Sequence, residues 1–418
     1  MKIIYVIEDM HIYNYDYKRF QMKYFDKGDN EIEAWSAVRW TFKECDDPIN
    51  ISKANNVYYI DNFNDLIKQF ERIKSDNCLF LCYPYHSYTY TSYCIRKMIK
   101  KYGFSFCNIS GSPAIGKQRL ITTTNIISLI ILQVVRLFKH ILYAIIKFDK
   151  NILFNGLIGI IGPCLYASKY NFVTTRLANA GFPNWVELSD RNKNIMIHSE
   201  SYDEFLDANV SNDEFLKLKE EYNLPDKYAL LVDDFEIGHS DFKKLGENIP
   251  VTNVEEHLRK VNKLLSMVEN KFGIPVVIAQ HPKAEYKFDA FEGRVSIKNH
   301  TNALLKNSSL VIIGISTCIG LLVLYKKDFI GWYNSEYFKN VPRCKSSYDL
   351  VQSIFNCKYI DVNNIQCENS INKYINHYDK DIYNNYLHRY IVEKDGMCGK
   401  HFYEIVADIV LNSDQRFN

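Results

Sequence analysis

The chain has 418 residues, of which 47% are hydrophobic and 24% charged, and its formal net charge at pH 7 is +2. This length corresponds to about two domains, and the composition is typical of a globular protein with a full core. The near-neutral charge, with no long basic run interleaved with aromatic residues, argues against nucleic acid as a partner. The 11 cysteines form no CxxC pair, so we expect reduced, mostly buried thiols in a reducing compartment.

The first half of the chain alternates short apolar runs with amphipathic stretches. Residues 1–9 lack the long apolar core and the cleavage site of a signal peptide, so they predict a first strand that ends in acids. Further strands are predicted at 56–60, 78–82, 104–109 and 194–198. An amphipathic helix ending near Lys101 separates two of them, and this order indicates a parallel sheet.

A basic, apolar segment occupies about residues 121–167. Residues 126–148 are rich in Ile, Leu and Val, but cations such as Arg136, Lys139 and Lys147 recur at helical spacing. A membrane-spanning helix needs about 20 nearly uninterrupted apolar residues. The segment therefore predicts either helices packed in the first domain or a basic amphipathic helix on an anionic membrane surface. The protein is expected in the cytoplasm and, in the second case, on the inner face of the cell membrane.

The second half has a more regular pattern. A polar helical stretch at 201–226 marks the boundary, so we place the domains at 1–215 and 216–418. Strands predicted at 227–232, 274–279, 295–297, 309–313 and 328–332 alternate with helices at 254–272, 301–306 and 318–325. This alternation predicts a parallel, doubly wound sheet. The last helices, from Gln366 onward, are candidates to cross back onto the first domain.

Polar residues follow three of these strands at the point where each strand ends. In a doubly wound sheet the ligand binds beyond the carboxyl ends of the strands, so we expect the three groups to converge on one edge. The groups are Asp233 with Asp234, then His281, Pro282 and Lys283, and finally the run 314–317.

Two of these groups suit a phosphate. Gly314 lets a ligand approach the backbone closely, and Ser316 with Thr317 opens a helix whose free N–H groups favour an anion, although simple helix capping is an alternative. Pro282 keeps His281 out of a helical conformation, so its imidazole can donate to a phosphate oxygen at the strand end. Lys283 adds a positive charge there, and a surface-loop histidine is the alternative.

The acidic pair suits proton transfer. Asp233 or Asp234 could act as the general base that activates an acceptor hydroxyl, whereas the alternative is an ordinary acidic loop. A metal held by the pair would need a third ligand, and none is evident in the sequence, so we expect no metal.

The order of these motifs resembles bacterial sialyltransferases and capsule Kdo transferases. The stretch from 195 to 330 resembles surface-polysaccharide transferases encoded beside nonulosonic acid synthesis genes. The matching runs are 197–199, 232–234, 239–242, 279–283, 293–294 and 315–317. In sialyltransferases a glycine often follows the acidic pair directly, whereas Phe235 follows here, so the choice between Asp233 and Asp234 stays open.

The resemblance implies a GT-B fold, in which two Rossmann-like α/β domains with parallel sheets face a cleft. It implies that Asp233 is the catalytic base and that His281, Ser316 and Thr317 contact the nucleotide phosphate. It also implies a CMP-activated keto sugar as donor and no separate cofactor.

The predicted activity is transfer of a nonulosonic acid (sialic, legionaminic or pseudaminic type) or a Kdo-like sugar to a glycan or lipid-linked glycan of a bacterial surface polysaccharide, such as O-antigen or capsule. We expect inversion at the anomeric carbon. The first 190 residues carry no family motif, so the acceptor is unconstrained. The first domain is expected to hold it, with His86, Ser112 and His198 as the acceptor-binding candidates. The alternatives are a GT-B transferase or epimerase that uses a UDP- or GDP-sugar, and a non-catalytic partner in polysaccharide assembly.

Overall fold

A computed structural model describes most of the chain as two compact units. The first unit contains the described residues of Met1–Gly111 and Gln118–His198 together with those from Lys400 onward, and the second unit contains the described residues of Ser199–Gly399. The described residues are 1–8, 10–13, 16–26, 30–42, 51–83, 89–110, 138, 168–173, 194–210, 212–235, 237–238, 242, 248–251, 253–286, 288–365, 368–392 and 399–413.

The first unit is built on a sheet of parallel strands. In the described ranges these are β1 (Lys2–Ile7), β2 (Glu31–Ser36), β3 (Val57–Tyr59), β4 (Cys78–Tyr83), β5 (Ser105–Ser110), β6 (Asn171–Val173) and β7 (Asn194–Met196). They pair in the order β3-β2-β1-β4-β5-β6-β7, and all of these pairs are parallel. The order reverses between β1 and β4, which makes the sheet doubly wound.

Helices follow the strands of this unit. Their bounds are α1 (Asp16–Arg19), α2 (Val38–Thr41), α3 (Phe63–Ile73), α4 (Tyr90–Lys101) and, after the second unit, the last helix of the chain, Phe402–Ser413, with a 3-10 turn at Met22–Tyr24.

Strand β1 shows why this sheet lies inside its unit. Ile3 and Tyr5 pack in one apolar cluster, Ile4 and Val6 pack in the cluster on the opposite face, and none of the four is exposed. An uninterrupted apolar run is what a parallel strand covered on both faces requires.

The second unit contains a second parallel sheet. Its described strands are β8 (Ala229–Val232), β9 (Val276–Gln280), β10 (Ser296–Lys298), β11 (Leu310–Ile313), β12 (Phe329–Tyr333) and β13 (Ile360–Asp361), with the short β14 (Ile375–Asn376) antiparallel to β12. The order β10-β9-β8-β11-β12-β13 reverses between β8 and β11, so this sheet too is doubly wound.

The helices of the second unit cover both faces of its sheet. They are α5 (Glu200–Val210), α6 (Asp213–Glu221), α7 (Val254–Phe272), α8 (Thr301–Asn307), α9 (Ile319–Leu324), α10 (Tyr337–Asn340), α11 (Pro342–Phe355) and α12 (Lys380–Tyr386), with a 3-10 helix at Glu368–Tyr374 and a π-turn at Leu387–Ile391. The last helix, Phe402–Ser413, is α13.

Helix α7 follows directly from its sequence. The Asn253 side chain accepts a hydrogen bond from the Glu256 N–H at its start, and Gly273 ends it in the left-handed conformation with φ 63°. Its apolar stripe, including Val261 and Leu265, packs on Leu231 of β8. Each such buried side chain stabilises the fold by about 1.5–3 kcal/mol.

The structure puts the boundary between the units at Ser199 rather than at 215. Helix α5 belongs to the second unit because Tyr202, 5% exposed, lies in that unit's core. The side chains of Asn302 and Lys306 also donate to the Glu204 and Ala208 carbonyls at 2.6 Å. The chain rejoins the first unit at Lys400, so α13 belongs to that unit.

Within the described ranges, no helix is both long and apolar enough to cross a membrane. The basic segment at 126–148 lies, apart from Phe138, outside the described residues, so both explanations of it remain predictions. Of the cysteines that are described, Cys78, Cys82, Cys94 and Cys107 are buried free thiols.

Candidate functional site

The three polar groups that follow β8, β9 and β11 lie at one edge of the second sheet. Strand β8 pairs with β9 on one side and β11 on the other, with Val232 opposite both Ala279 and Ile313. The residues that follow these positions therefore leave the sheet together at its carboxyl edge. The β8–β11 pair is also where the strand order reverses, which is the usual ligand position in such sheets.

Asp233 is buried, and its hydrogen bonds connect the end of β8 to the end of β9. Its side chain is 9% exposed; Oδ1 accepts the Phe235 N–H at 3.0 Å and Oδ2 accepts the His281 N–H at 3.2 Å. The Tyr286 hydroxyl donates to both oxygens, at 3.0 and 3.1 Å. Burial raises the pKa of Asp233 above its usual value, and these hydrogen bonds offset part of that shift.

Asp234 has a different environment. It is half-buried, and its carboxylate lies against the backbone of Gly314, where an added Cβ would overlap Oδ2. The same Cβ would come within 3.4 Å of the Tyr348 hydroxyl. The sequence indicated that Gly314 makes room for a ligand, but here the glycine makes room for the carboxylate of Asp234.

His281 is held in a defined turn. The Ala284 N–H donates to the His281 carbonyl at 2.9 Å, with Pro282 at the second position, where its fixed φ favours a turn. The Lys283 N–H donates to Nδ1 of the imidazole at 3.1 Å. Since Nδ1 accepts, the neutral ring carries its proton on Nε2, so the far side of the imidazole is a hydrogen-bond donor.

Ser316 and Thr317 lie in the turn before a short helix. The Ser316 hydroxyl accepts the Cys318 N–H at 3.3 Å, and helix α9 begins at Ile319 and has six residues. Ser316 is half-buried and Thr317 exposed. The hydroxyl of Ser316 therefore bonds within the turn, and the N-cap residue of α9 is Cys318, without a side-chain cap. Phosphate binding by this pair remains a prediction.

Of the three acceptor-binding candidates, only His198 lies among the described residues. His198 is 1% exposed, and its ring meets Phe402 edge-on at 6.3 Å, so packing in the first unit accounts for it. His86 and Ser112 lie outside the described residues. The acceptor-binding role of these three residues stays a prediction.

A buried histidine close to this edge was missed by sequence reasoning. His257, in the first turn of α7, is 7% exposed, and its Nδ1 lies 3.0 Å from the Tyr337 hydroxyl and 3.3 Å from Nδ2 of Asn334. Burial lowers its pKa to about 4, so it is neutral at physiological pH. Asn334 follows β12 at the same edge and could have been found by the strand-end rule, whereas His257 looks like any polar position of an amphipathic helix.

A small pocket, partly open to solvent, lies between α7 and the end of β8. Its floor is apolar, and the indole N–H of Trp332, 4% exposed, has no hydrogen-bond partner among the described residues. Trp332 lines this pocket together with two carboxylates. The side chains around it include Asp233, Asp234, Phe235, His257, Tyr286 and Trp332.

A metal site is not formed by the side chains that the structure describes. Within that part of the chain, no group of three or more His, Cys, Asp or Glu residues is arranged to hold a metal ion. Positive charge for a bound phosphate would come from Lys283, which is half-buried beside His281.

No protein-family model matches the chain, and no curated protein matches its sequence. Among solved structures, it is similar to CalG4, the calicheamicin glycosyltransferase, with a TM-score of 0.52 at 8% identity over 100% of this chain and 98% of that chain. It is also similar to the wall teichoic acid polymerase TagF, with a TM-score of 0.49 at 10% identity over 100% of this chain and 90% of that chain. A third similar structure is the alpha/beta-galactoside alpha-2,3-sialyltransferase of the luminous marine bacterium Photobacterium phosphoreum, with a TM-score of 0.46 at 13% identity over 87% of this chain and 99% of that chain.

At such low identity the likeness shows the fold alone. The chain has the GT-B fold, with two Rossmann-like α/β domains and two parallel, doubly wound sheets. The fold class predicted from the sequence is confirmed.

Proposed function

We propose that the protein is a glycosyltransferase that binds a nucleotide sugar at the carboxyl edge of the second sheet. The observation that carries this proposal is the meeting of Asp234, His281 and Gly314 where the strand order reverses, between β8 and β11. Open α/β sheets bind their ligands at that position, and Asp234, His281 and Lys283 supply a base, a hydrogen-bond donor and a cation there.

The phosphate of the donor would be bound by His281 and its neighbours. The Lys283 N–H on Nδ1 leaves Nε2–H as the donor of the neutral imidazole, and the Lys283 ammonium adds charge. The hydroxyls of Ser316 and Thr317 are candidates for further contacts. Preorganised donors of this kind offset the charge that develops on a departing nucleotide.

The general base of the proposed reaction is Asp234 rather than Asp233. Both oxygens of Asp233 already accept hydrogen bonds from Phe235, His281 and Tyr286, so this carboxylate serves to hold the site together. Asp234 is half-buried beside Gly314 and is the better placed of the two to take a proton from an acceptor hydroxyl. A positioned base of this kind contributes about 10²–10⁴-fold in rate.

The donor is proposed to be a CMP-activated nonulosonic acid or Kdo-like sugar, and the acceptor a glycan of a bacterial surface polysaccharide. Support for this class comes from the order of the acidic pair, the His-Pro motif and the Ser/Thr pair in the sequence. We further propose inversion at the anomeric carbon without a metal ion, since protein donors and Lys283 would supply the positive charge.

A thermal-shift screen with CMP, CDP, UDP and GDP tests the nucleotide site. A ligand at 100 times its Kd stabilises the fold by about 2.7 kcal/mol, which corresponds to a rise in Tm of roughly 5–10 °C. We expect this rise with CMP or CDP in the wild type, and its loss in His281→Ala. His377→Ala is the matched control, because this histidine is exposed and pairs with Asp328 away from the site.

The outcomes separate the parts of the proposal. A response to UDP or GDP alone would remove the CMP donor and leave a GT-B transferase or epimerase for another sugar. No response to any nucleotide, or an equal response in His281→Ala, would contradict the site itself. With a purified CMP-sugar, release of CMP that depends on Asp234 completes the test.

A further inference from the structure

Phe235, directly after the acidic pair, has a backbone conformation that glycine would adopt without strain. Its φ is +47°, in the left-handed region that side chains with a Cβ rarely occupy. The conformation is fixed locally, because the Phe235 N–H donates to Asp233 and its carbonyl accepts the Gly238 N–H at 3.2 Å. A glycine would therefore suit the backbone better, and what the phenylalanine adds is its ring.

The ring of Phe235 lies against the imidazole of His281. The two ring centroids are 6.0 Å apart with an angle of 19° between the planes, which is an offset stack. Tyr286 meets the same ring edge-on at 5.7 Å. On another side, a Cβ added to Gly238 would come within 2.7 Å of Cζ of Phe235, so this glycine leaves room for the ring.

We propose that Phe235 is a positioning residue whose ring fixes the plane of the His281 imidazole at the end of β9. The proposal deepens the proposed function, on which it rests. The imidazole then has two restraints: the Lys283 N–H holds Nδ1, and the Phe235 ring sets the plane. Together they direct Nε2–H, the donor side, in one orientation.

The strain of the backbone can be separated from the contact of the ring with two variants. Phe235→Ala removes the ring and keeps a Cβ at positive φ, whereas Phe235→Gly removes both. We expect the Tm of Phe235→Gly to exceed that of Phe235→Ala by about 1–4 °C. Both variants should weaken CMP binding by about tenfold relative to the wild type, and Phe235→Trp should restore it to within about twofold.

A third variant displaces the ring without changing Phe235. In Gly238→Ala the new methyl group comes within 2.7 Å of Cζ, which is too close for two carbon atoms, so the ring must shift from its place against His281. We expect Gly238→Ala to weaken CMP binding as Phe235→Ala does. The double variant should be no weaker than either single one, since both remove the same contact.

The ¹⁵N chemical shifts of His281 give a readout that does not depend on any ligand. In the wild type at pH 8 we expect a single tautomer with the proton on Nε2, and in Phe235→Ala and Gly238→Ala a shift toward an averaged mixture. Unchanged tautomer shifts together with unchanged CMP affinity in both variants would overturn the positioning role. If the tautomer changes but His281→Ala binds CMP as well as the wild type, the positioning role holds and the proposed function fails.

Discussion

The carboxyl edges of the two sheets have the same topology and opposite chemistry. In each sheet the strand order reverses beside a central strand, β1 in the first unit and β8 in the second, and each strand is followed by an acid. Glu8 after β1 is fully buried. Asp233, directly after β8, is also buried, but Asp234 beside it is half-buried, as is His281 after the neighbouring strand.

The acid of the first unit is satisfied within the fold. Oε1 of Glu8 accepts from the Arg96 guanidinium at 2.8 Å, and the Ser92 hydroxyl donates to Oε2. Arg96, also fully buried, donates in turn to Asn108 of β5 at 3.2 Å. An acid at a switch point is therefore not by itself a site, because Glu8 is paired with a buried cation on α4, the helix that follows the neighbouring strand β4.

The largest effect should come from breaking the buried pair of the first unit. Arg96→Met leaves the Glu8 carboxylate buried without its cation, and we expect the first unit to lose about 3–5 kcal/mol of its free energy of unfolding. Urea titration measures this loss. The double variant Glu8→Leu with Arg96→Met should recover much of this loss. If Arg96→Met is as stable as the wild type, the ion pair does not stabilise this edge of the first sheet.

Substitutions of Asp233 and Asp234, at the carboxyl edge of the second sheet, should have different effects: one on stability and the other on catalysis. Asp234→Asn should lower kcat by about 10²–10⁴-fold with Tm nearly unchanged. Asp233→Asn should instead destabilise the second unit by about 1–3 kcal/mol, because an amide N–H replaces an oxygen that accepts a hydrogen bond. Enzyme kinetics and thermal unfolding of these two variants test this. If Asp233→Asn lowers kcat and Asp234→Asn lowers stability instead, Asp233 is the base.

His257 should make the second unit sensitive to acid. Its pKa in the folded state is about 4, against 6.5 for an ordinary histidine. Between these two pH values the unfolded chain binds a proton at His257, whereas the folded chain does not. Stability is fully present above about pH 6.5 and falls as the pH drops toward 4, by up to about 3 kcal/mol. In His257→Gln the free energy of unfolding should vary less over this pH range. If its pH dependence is the same as in the wild type, groups other than His257 cause it.

The smallest of these effects should come from Gly314→Ala. The new Cβ overlaps the Asp234 carboxylate, so the acid must move by a small distance. We expect a loss of roughly 1–3 kcal/mol in stability and a fall in kcat that exceeds any rise in KM. A variant with wild-type kcat would show that the position of Asp234 does not matter for the reaction.

Much of the second unit could be predicted from local pattern. Apolar runs alternating with amphipathic helices indicate the doubly wound sheet, and Pro282 indicates the turn that holds His281. Strand ends in such a sheet meet at one edge whatever the details of packing. For this reason the sequence alone predicts that the three polar groups lie close together.

The rest depends on tertiary contacts that no local pattern carries. The role of Asp233 in holding the ends of β8 and β9 together depends on Tyr286, 53 residues away, donating to it. The placement of α5 depends on Tyr202, which packs in the core of the second unit, whereas the polar sequence of this helix is typical of a linker. The role of His257 depends on Tyr337 being brought to it by a later strand.

The central claim is that the nucleotide binds at the carboxyl edge of the second sheet and not of the first. Hydrogen–deuterium exchange with and without saturating CMP tests it most directly. We expect slower exchange in peptides that contain Asp234, Lys283 and Ser316, and no change in those that contain Glu8 and Arg96. Protection confined to the Glu8 edge, with none after β8, β9 and β11, would contradict the account.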